Sequence, residues 1–226
     1  MAKRTLTVVL SILVIGFAYG RYGQGKGGFG PGILPYINSF PKQEISQDER
    51  TALLHMREEE KLARDVYKTL GKTWGLRVFS NIAKSEQRHM DVVKALLTKY
   101  GIKDPVENDA VGRFSNPKMQ QLYEELVAKG LRSPQDALIV GATIEDLDIY
   151  DLEKWLLKVD NMDITFALSN LKKGSENHIR AFTRLLSRYG ITYKAQYISQ
   201  EELEEILNSS NGSNGRRGRW GRGRNW

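Results

Sequence analysis

Between Ser46 and residue 208 the apolar side chains recur every three or four positions, and no stretch alternates between apolar and polar residues with a period of two. That spacing is typical of amphipathic helices that pack against one another, so the sequence predicts an all-α fold without a sheet. Capping patterns mark the helix ends. Ser46-Gln-Asp-Glu49 is a capping box, whereas Gly71 and Gly101 are expected to end the first two long helices.

The order and spacing of the helices predict their connectivity. The predicted elements are four long helices, at about 46–71, 78–100, 134–159 and 163–190, and two short ones that follow Asn116 and Ser199. The links within each pair of long helices are short, whereas a long connection, roughly 102–133, separates the pairs. Such links predict two antiparallel helix hairpins joined by a long crossover, which together form a four-helix bundle.

The N-terminus has the layout of an export signal. Lys3 and Arg4 precede an apolar run of about 15 residues that closes with the small-residue pattern Ala18-Tyr19-Gly20. The run is shorter than the ~20 residues that span a bilayer, which favours a cleaved signal at 1–20 over a retained membrane anchor. The protein is therefore expected to be secreted or associated with the cell envelope.

Composition divides the rest of the chain into three parts. Residues 21–45 are rich in glycine and predict a flexible linker, 46–208 form the predicted helical domain, and 209–226 form an Arg/Gly-rich tail. Of the overall charge of +7, the first 45 residues carry +4 and the tail +5, which leaves about −2 on the helical domain. This balance does not predict specific nucleic-acid binding. The tail is either a disordered solubilising segment or one that contacts an anionic surface or polymer.

An internal repeat relates the second and fourth long helices. The segment HMDVVKALLTKYGI begins at His89, and HIRAFTRLLSRYGI begins at His178; both share the histidine, a Leu-Leu pair and the ending Tyr-Gly-Ile. A shared leucine stripe explains the leucines, but it does not readily explain the histidines, because the chain contains only three of them. The repeat indicates duplication of a helix pair. The third histidine, His55, lies off the apolar stripe and is expected at the surface.

Acidic residues and histidines fall on stripes that should face the interior. Glu86 and His89 lie three residues apart, on one helix face about one turn apart. Glu60 and Glu145 interrupt the apolar stripes of the first and third long helices, and His178 lies on that of the fourth. A buried carboxylate is costly unless a positive charge neutralises it, and these stripes carry no Lys or Arg. With no cysteine in the chain, the combination predicts a divalent-metal site suited to iron or manganese, with zinc as an alternative. Taken one at a time, these residues are equally typical of solvated helix faces.

These motifs resemble those of the ferritin-like diiron-carboxylate superfamily, which includes rubrerythrin and bacterioferritin. They are most similar to a prokaryotic family of uncharacterised ferritin-like domains that carry the run EEEKLARDVY. The similarity covers roughly 46–193 and rests on Glu60-x-x-Ala63-x-Asp65-x-Tyr67, Glu86-x-x-His89, Ala142-x-x-Glu145-x-x-Asp148 and His178. It implies a ferritin-like four-helix bundle with six metal ligands: Glu60, Glu86, His89, Glu145, Asp148 and His178. It also implies three neighbours that support those ligands: Tyr67, Asp65 and Ser175.

The sequence departs from the superfamily pattern at Ser175, where the second Glu-x-x-His motif would place a bridging glutamate. Neighbouring Glu176 is rotated by about 100° around the helix and does not replace it. The site therefore lacks one of the usual four glutamates. Asp148 or a water molecule is expected to substitute, and the site holds either two iron ions or one.

The resemblance implies metal-dependent redox chemistry with dioxygen or peroxide, as an oxidase, a ferroxidase or a peroxidase. The alternative is a helical binding module in which the metal is structural, mononuclear or absent. A homodimer is compatible with the sequence, which leaves the oligomeric state open.

Overall fold

The computed structural model describes residues 33–209 of the chain. Over that range the chain contains seven helices and no strand, which confirms the predicted all-α class. The helices are α1 (Ile33–Ser39), α2 (Gln47–Trp74), α3 (Arg77–Tyr100), α4 (Pro117–Gly130), α5 (Pro134–Leu156), α6 (Met162–Ser187) and α7 (Gln200–Asn208). The predicted export signal and all but the first residue of the predicted tail lie outside the described residues. No helix within 33–209 combines the length and apolar character needed to cross a membrane.

Local hydrogen bonds set the ends of the long helices. At the start of α2, the Glu49 amide donates to the Ser46 side chain and the Ser46 amide donates to the Glu49 side chain, so the predicted capping box is present. At the start of α5, the Asp136 amide donates to Ser133 Oγ. Gly101 closes α3 with a left-handed φ of 67°. Each cap satisfies backbone groups that the helix leaves unpaired at its ends.

The predicted end of the first long helix at Gly71 is wrong. α2 continues to Trp74 and is closed by Gly75, which has a φ of 65°. Gly71 has a packing role instead, because a Cβ placed there would lie only 3.0 Å from the Cβ of Phe79. The glycine therefore allows α2 and α3 to approach closely.

The four long helices pack as two pairs, α2 with α3 and α5 with α6, and the pairs contact each other through α2·α5 and α3·α6. Gly71 near the end of α2 contacts Phe79 near the start of α3, and Gly141 near the start of α5 approaches Phe182 near the end of α6. The Tyr67 hydroxyl lies 3.3 Å from the Gly141 carbonyl oxygen, and the Phe79 and Phe182 rings are 5.5 Å apart. All four contacting pairs therefore run antiparallel.

Buried apolar side chains form two clusters, one toward each end of the four long helices. The first includes Phe79 and Phe182, and the second includes Leu53 and Leu168. On every long helix a group of buried polar residues lies between the two clusters. Apolar packing on both sides keeps water from this polar layer and strengthens the electrostatic interactions within it.

The predicted flexible linker over 21–45 differs from the structure from Ile33 onward. Helix α1 contacts α3 and α6, and Ile37 is fully buried. Lys99 Nζ donates to the carbonyl oxygens of Ile37 and Phe40, at 3.1 and 2.9 Å. The predicted linker thus extends too far along the chain, since α1 lies within it. The sequence did not indicate this helix because its few apolar residues follow directly after a glycine-rich stretch.

The connection between α3 and α4 covers one face of α2. Arg57 donates to both carboxylate oxygens of Asp104, and the Gly112 amide donates to Asp65 Oδ2 at 3.0 Å. Arg57 and Lys61 are consequently almost fully buried. The run REEEK is therefore largely covered, although a solvated face would have been an equally reasonable interpretation of its composition.

Candidate metal centre

All six side chains predicted as metal ligands lie in the polar layer between the two apolar clusters. Each of the six residues is buried, with at most 8% of its surface exposed. Helix α2 contributes Glu60, α3 contributes Glu86 and His89, α5 contributes Glu145 and Asp148, and α6 contributes His178. The structure thus brings together acids and imidazoles from four helices.

Glu86 stands between the two histidines. Its Oε2 lies 2.8 Å from His89 Nδ1, and its Oε1 lies 2.8 Å from His178 Nδ1. The two imidazole rings are stacked, with centroids 5.6 Å apart. One carboxylate therefore faces both imidazoles through different oxygens, which is the disposition of a ligand that bridges two cations.

Each histidine also faces a second carboxylate. Glu60 Oε2 lies 3.1 Å from His89 Nδ1, and Glu145 Oε2 lies 3.3 Å from His178 Nδ1. One ligand atom from each of Glu60, Glu86 and His89 lies within 4.8 Å of the others, and we call these residues the His89 group. The same holds for Glu86, Glu145 and His178, the His178 group. The two groups share Glu86.

Carboxylate oxygens outnumber the hydrogen-bond donors at this centre. An imidazole nitrogen carries at most one proton, yet each Nδ1 faces two carboxylate oxygens. Glu60 Oε1 and Asp148 Oδ1 are buried and accept no hydrogen bond from any described residue. Because a buried polar atom without a partner costs about 1–3 kcal/mol, these oxygens indicate a ligand that the described part of the chain does not supply.

Three of the acids are hard to ionise while no cation is bound. Burial and the neighbouring Asp148 raise the pKa of Glu60 well above its ordinary value. Burial and the charge of Glu59 do the same to the pKa of Asp148. Burial, opposed by His178, raises the pKa of Glu145 to about 7. These carboxyl groups therefore tend to hold protons near neutral pH, and a metal cation would displace them.

Glu86 and His178 form an ion pair in the metal-free chain. Burial opposes ionisation of Glu86, but the charges of His178 and His89 hold its pKa below the ordinary value. Burial also opposes protonation of His178, but Glu86 and Glu145 together outweigh it and raise the pKa of that imidazole well above 6.5. Burial lowers the pKa of His89. Protonated His178 therefore balances the shared carboxylate.

Ser175, the position at which the resemblance predicts a second bridging glutamate, contacts Asp148 instead. The Ser175 hydroxyl donates a hydrogen bond to Asp148 Oδ2. That bond orients the carboxylate, whereas its Oδ1 remains without a partner among the described residues. A carboxylate is therefore present at this level of the helices, but it comes from α5 and not from α6.

Tyr67 supports the His178 group from α2. Its hydroxyl donates to Glu145 Oε1 at 2.5 Å, and it also lies 3.3 Å from the Gly141 carbonyl. The tyrosine is fully buried, and burial, together with the charge of Glu145, raises its pKa well above 10. The phenol therefore stays protonated and fixes the orientation of the carboxylate.

Asp65, predicted as a supporting neighbour, makes its contacts elsewhere. It pairs with Lys61 Nζ at 2.5 Å and with Arg64 at 2.7 Å, and it accepts the Gly112 amide. The sequence motif placed Asp65 on the first long helix but did not determine which way its side chain points. Asp65 therefore anchors the connection that covers α2, and its hydrogen bonds and ion pairs go to residues other than the six predicted ligands.

The expectation that His55 is a surface residue is only partly right. Its side chain is 34% exposed and contacts two acids that sequence reasoning missed, Glu59 on α2 and Asp151 on α5. The spacing of four residues between His55 and Glu59 is a signal for one helix face. Nothing in the sequence points to Asp151, because it reaches this face only through the packing of α5 on α2.

Comparisons with known proteins identify relatives over the same region. A family described as "Uncharacterized protein domain (DUF2202)" matches residues 49–210, a range that contains all six predicted ligands. Uncharacterized protein MJ0754 of Methanocaldococcus jannaschii is 63% identical over 178 residues, which are 79% of this chain and 96% of that protein. The crystal structure of hypothetical protein MJ0754 from Methanococcus jannaschii has a TM-score of 0.75 and 63% identity, and the similarity covers 76% of this chain and 99% of that chain.

Proposed function

The chain belongs to the family of uncharacterised domains described as DUF2202, and we propose that it is a metal-binding protein that holds two cations between its four long helices. The His89 group and the His178 group would each hold one cation, and Glu86 would bridge them. Asp148 would supply a further carboxylate on the side of Ser175.

The position of Glu86 is the observation that carries this proposal. Its two oxygens lie at the same distance, 2.8 Å, from two different imidazoles. A structural ion pair needs only one such contact, whereas a bridging ligand needs both. The second carboxylate beside each imidazole completes two sets of ligands with the same composition.

The donor atoms fit a transition metal of intermediate hardness. Each group offers one imidazole nitrogen and two carboxylate oxygens, a mixture that suits iron or manganese and also accepts zinc. The unpartnered oxygens of Glu60 and Asp148 favour a cation over an additional proton donor, because no described side chain reaches them. Once their protons are displaced, the four carboxylates beside two neutral imidazoles carry negative charge that divalent cations would balance.

We further propose that the helices form a ferritin-like four-helix bundle. The antiparallel packing of the two helix pairs and the long connection between α3 and α5 support this assignment. The arrangement of a glutamate, a Glu-x-x-His and a second glutamate on three successive long helices also supports it. Ser175 remains the departure from the superfamily pattern.

If the metal is iron, the pair supplies electrons for the reduction of dioxygen or peroxide. The residues of the chain then have three tasks. Glu86 keeps the two cations together, Tyr67 fixes Glu145 through its hydrogen bond, and the apolar clusters exclude water from the polar layer. Oxidase, ferroxidase and peroxidase activities all fit this chemistry.

Metal loading of the full-length chain tests the proposal. The protein, stripped of metal by a chelator, is given ferrous iron without oxygen, and its bound metal is measured after dialysis. Two equivalents that depend on Glu86, followed by a new near-ultraviolet absorption band on adding dioxygen, are expected. Binding of less than one equivalent of iron, manganese and zinc alike would refute the proposal.

A second function is favoured by Ser175. With one bridging carboxylate fewer, the bundle would serve as a binding module that uses a single or structural metal and carries out no redox turnover. Unfolding temperatures with and without chelator separate the two functions. A structural metal raises the unfolding temperature by binding to the folded state alone, while adding dioxygen produces no spectral change.

Export remains a proposal that rests on the N-terminal sequence pattern alone. Comparing the mass of the mature protein, isolated from its native source, with that of the full chain tests it. Loss of the first ~20 residues is expected for a cleaved signal.

A further inference from the structure

A third group of metal-binding side chains lies on the α2–α5 side of the molecule, apart from the six residues of the buried centre. His55 Nε2 lies 3.3 Å from Asp151 Oδ2 and 3.4 Å from Glu59 Oε2. One ligand atom from each of the three residues lies within 4.8 Å of the others. We call these residues the His55 group. It has the same composition as the two buried groups, one imidazole nitrogen and two carboxylate oxygens.

The oxygen of Glu59 has no satisfactory partner in this arrangement. The Glu59 side chain is 4% exposed, and its Oε2 accepts no hydrogen bond of normal geometry from the described residues. His55 Nε2 carries at most one proton, which is shared with Asp151. The buried Glu59 oxygen therefore faces an imidazole nitrogen whose one proton is directed to Asp151. A cation in contact with all three side chains would give this oxygen a partner.

The exposure of the group suits an exchangeable ion. The side chains of His55 and Asp151 are 34% and 22% exposed, whereas Glu59 closes the inner side. Three protein ligands leave coordination positions open on the outer side for water. The group is also held firmly, because His55 and Glu59 lie one helical turn apart on α2 and Asp151 is fixed on α5.

We propose that His55, Glu59 and Asp151 form a third cation site, which binds one divalent transition-metal ion within reach of solvent. Binding replaces the proton on Nε2 with the metal and leaves the carboxylates as ligands. The proposal does not depend on the proposed function of the buried centre, since no residue belongs to both sites. A structural contact is the competing interpretation, in which a protonated His55 only joins α2 to α5.

The three histidines of the chain allow each site to be followed separately. His55, His89 and His178 lie in three different groups, and no other histidine is present. The full-length chain without an affinity tag, labelled with ¹⁵N-histidine and stripped of metal, is titrated with Zn²⁺. A shift of the His55 ring signals that saturates as a single Zn²⁺ ion binds at this site, in addition to any ions taken up by the buried centre, is expected. If those signals do not move in excess Zn²⁺, the third site is refuted, whatever His89 and His178 show.

Variants test whether the same residues hold the ion. His55→Phe and Asp151→Asn are each expected to weaken binding of this one equivalent by at least roughly 10–100-fold, the loss that even an outer-sphere contact causes. Glu153→Gln is the matched control, because it removes a carboxylate from α5 that instead contacts Lys172. The control should bind as the parent does. If His55→Phe lowers the unfolding temperature but leaves the bound Zn²⁺ unchanged, the histidine is only a structural contact.

The Glu86→Gln variant separates this proposal from the preceding one. It disturbs the buried centre, so the signals of His89 and His178 should respond less to Zn²⁺, whereas the response of His55 should be retained. Loss of all three responses would show a single linked site and would overturn the assignment of an independent third site.

Discussion

Replacing Glu86 or Glu60 with glutamine tests the shared carboxylate most directly. Both substitutions keep the size of the side chain and remove its charge, and both side chains are at most 2% exposed. Glu86 contacts both imidazoles, whereas Glu60 contacts His89 alone. Glu86→Gln should therefore weaken both buried cation positions, and Glu60→Gln should weaken only the position beside His89.

The two variants should also differ in the stability of the metal-free protein. At neutral pH Glu86 is ionised and balances His178, so its neutralisation leaves a buried charge without its partner and should cost about 3–5 kcal/mol. Its pKa is lowered in the folded state, so this contribution is present above the ordinary carboxyl pKa of 4.5 and is lost as the pH falls below that range. Glu60, whose pKa is raised, tends to be a neutral acid already. Its conversion to an amide should change the free energy of unfolding by less than about 1 kcal/mol.

Two measurements on the same samples decide the outcome. Urea unfolding in the presence of chelator at pH 7 gives the free energies, and equilibrium dialysis against Zn²⁺ gives the number and affinity of bound ions. Each position that loses a ligand should bind at least roughly 10–100-fold more weakly. Equal effects of the two substitutions on both measurements would refute the assignment of Glu86 as the bridging residue.

Three further substitutions test the surroundings of the centre. Tyr67→Phe removes the donor to Glu145 and should lower the free energy of unfolding by about 1–3 kcal/mol; urea unfolding that matches the parent would show that this hydrogen bond contributes nothing. Gly141→Ala places a Cβ 2.5 Å from the Phe182 ring and should lower the free energy of unfolding by about 1–3 kcal/mol through overpacking. Urea unfolding measures this change as well, and an unchanged free energy would contradict the close packing of α5 and α6. In chelator, the stability that the parent gains over His55→Phe should be full below pH 6.5 and disappear as the pH rises toward about 10, because Asp151 and Glu59 together raise the pKa of the imidazole to about 10. A difference in unfolding temperature that does not change across this range would contradict the ionised contact.

Several features were predictable because they depend on neighbouring residues alone. The helical period, the capping box at Ser46 and the glycine that closes α3 all act within a few positions of the chain. The acids and histidines on apolar stripes were also visible, since burial of one face follows from the period. The repeat that begins at His89 and His178 also indicated that the second and fourth long helices carry equivalent histidines.

Other features depend on which surfaces come into contact. The sequence pattern predicted a helix end at Gly71, but the close approach of Phe79 is the reason for a glycine at this position. Asp65 lies in a stretch that resembles a ferritin-like sequence motif, yet in the structure its carboxylate pairs with Lys61. The segment from Ile33 resembled a linker because its few apolar residues gain their burial from α3 and α6.

The sequence by itself determined the helices from α2 to α7, the sides on which they carry acids, and the types of atom available to hold a cation. These follow from steps of three or four residues along one helix. Only the tertiary structure decided that Glu86 faces two imidazoles, that Asp148 stands beside Ser175, and that Asp151 reaches His55. These contacts join residues from different helices. Their distances depend on how each helix is rotated and shifted along its axis relative to its neighbours. The packing of the two apolar clusters sets that rotation and shift.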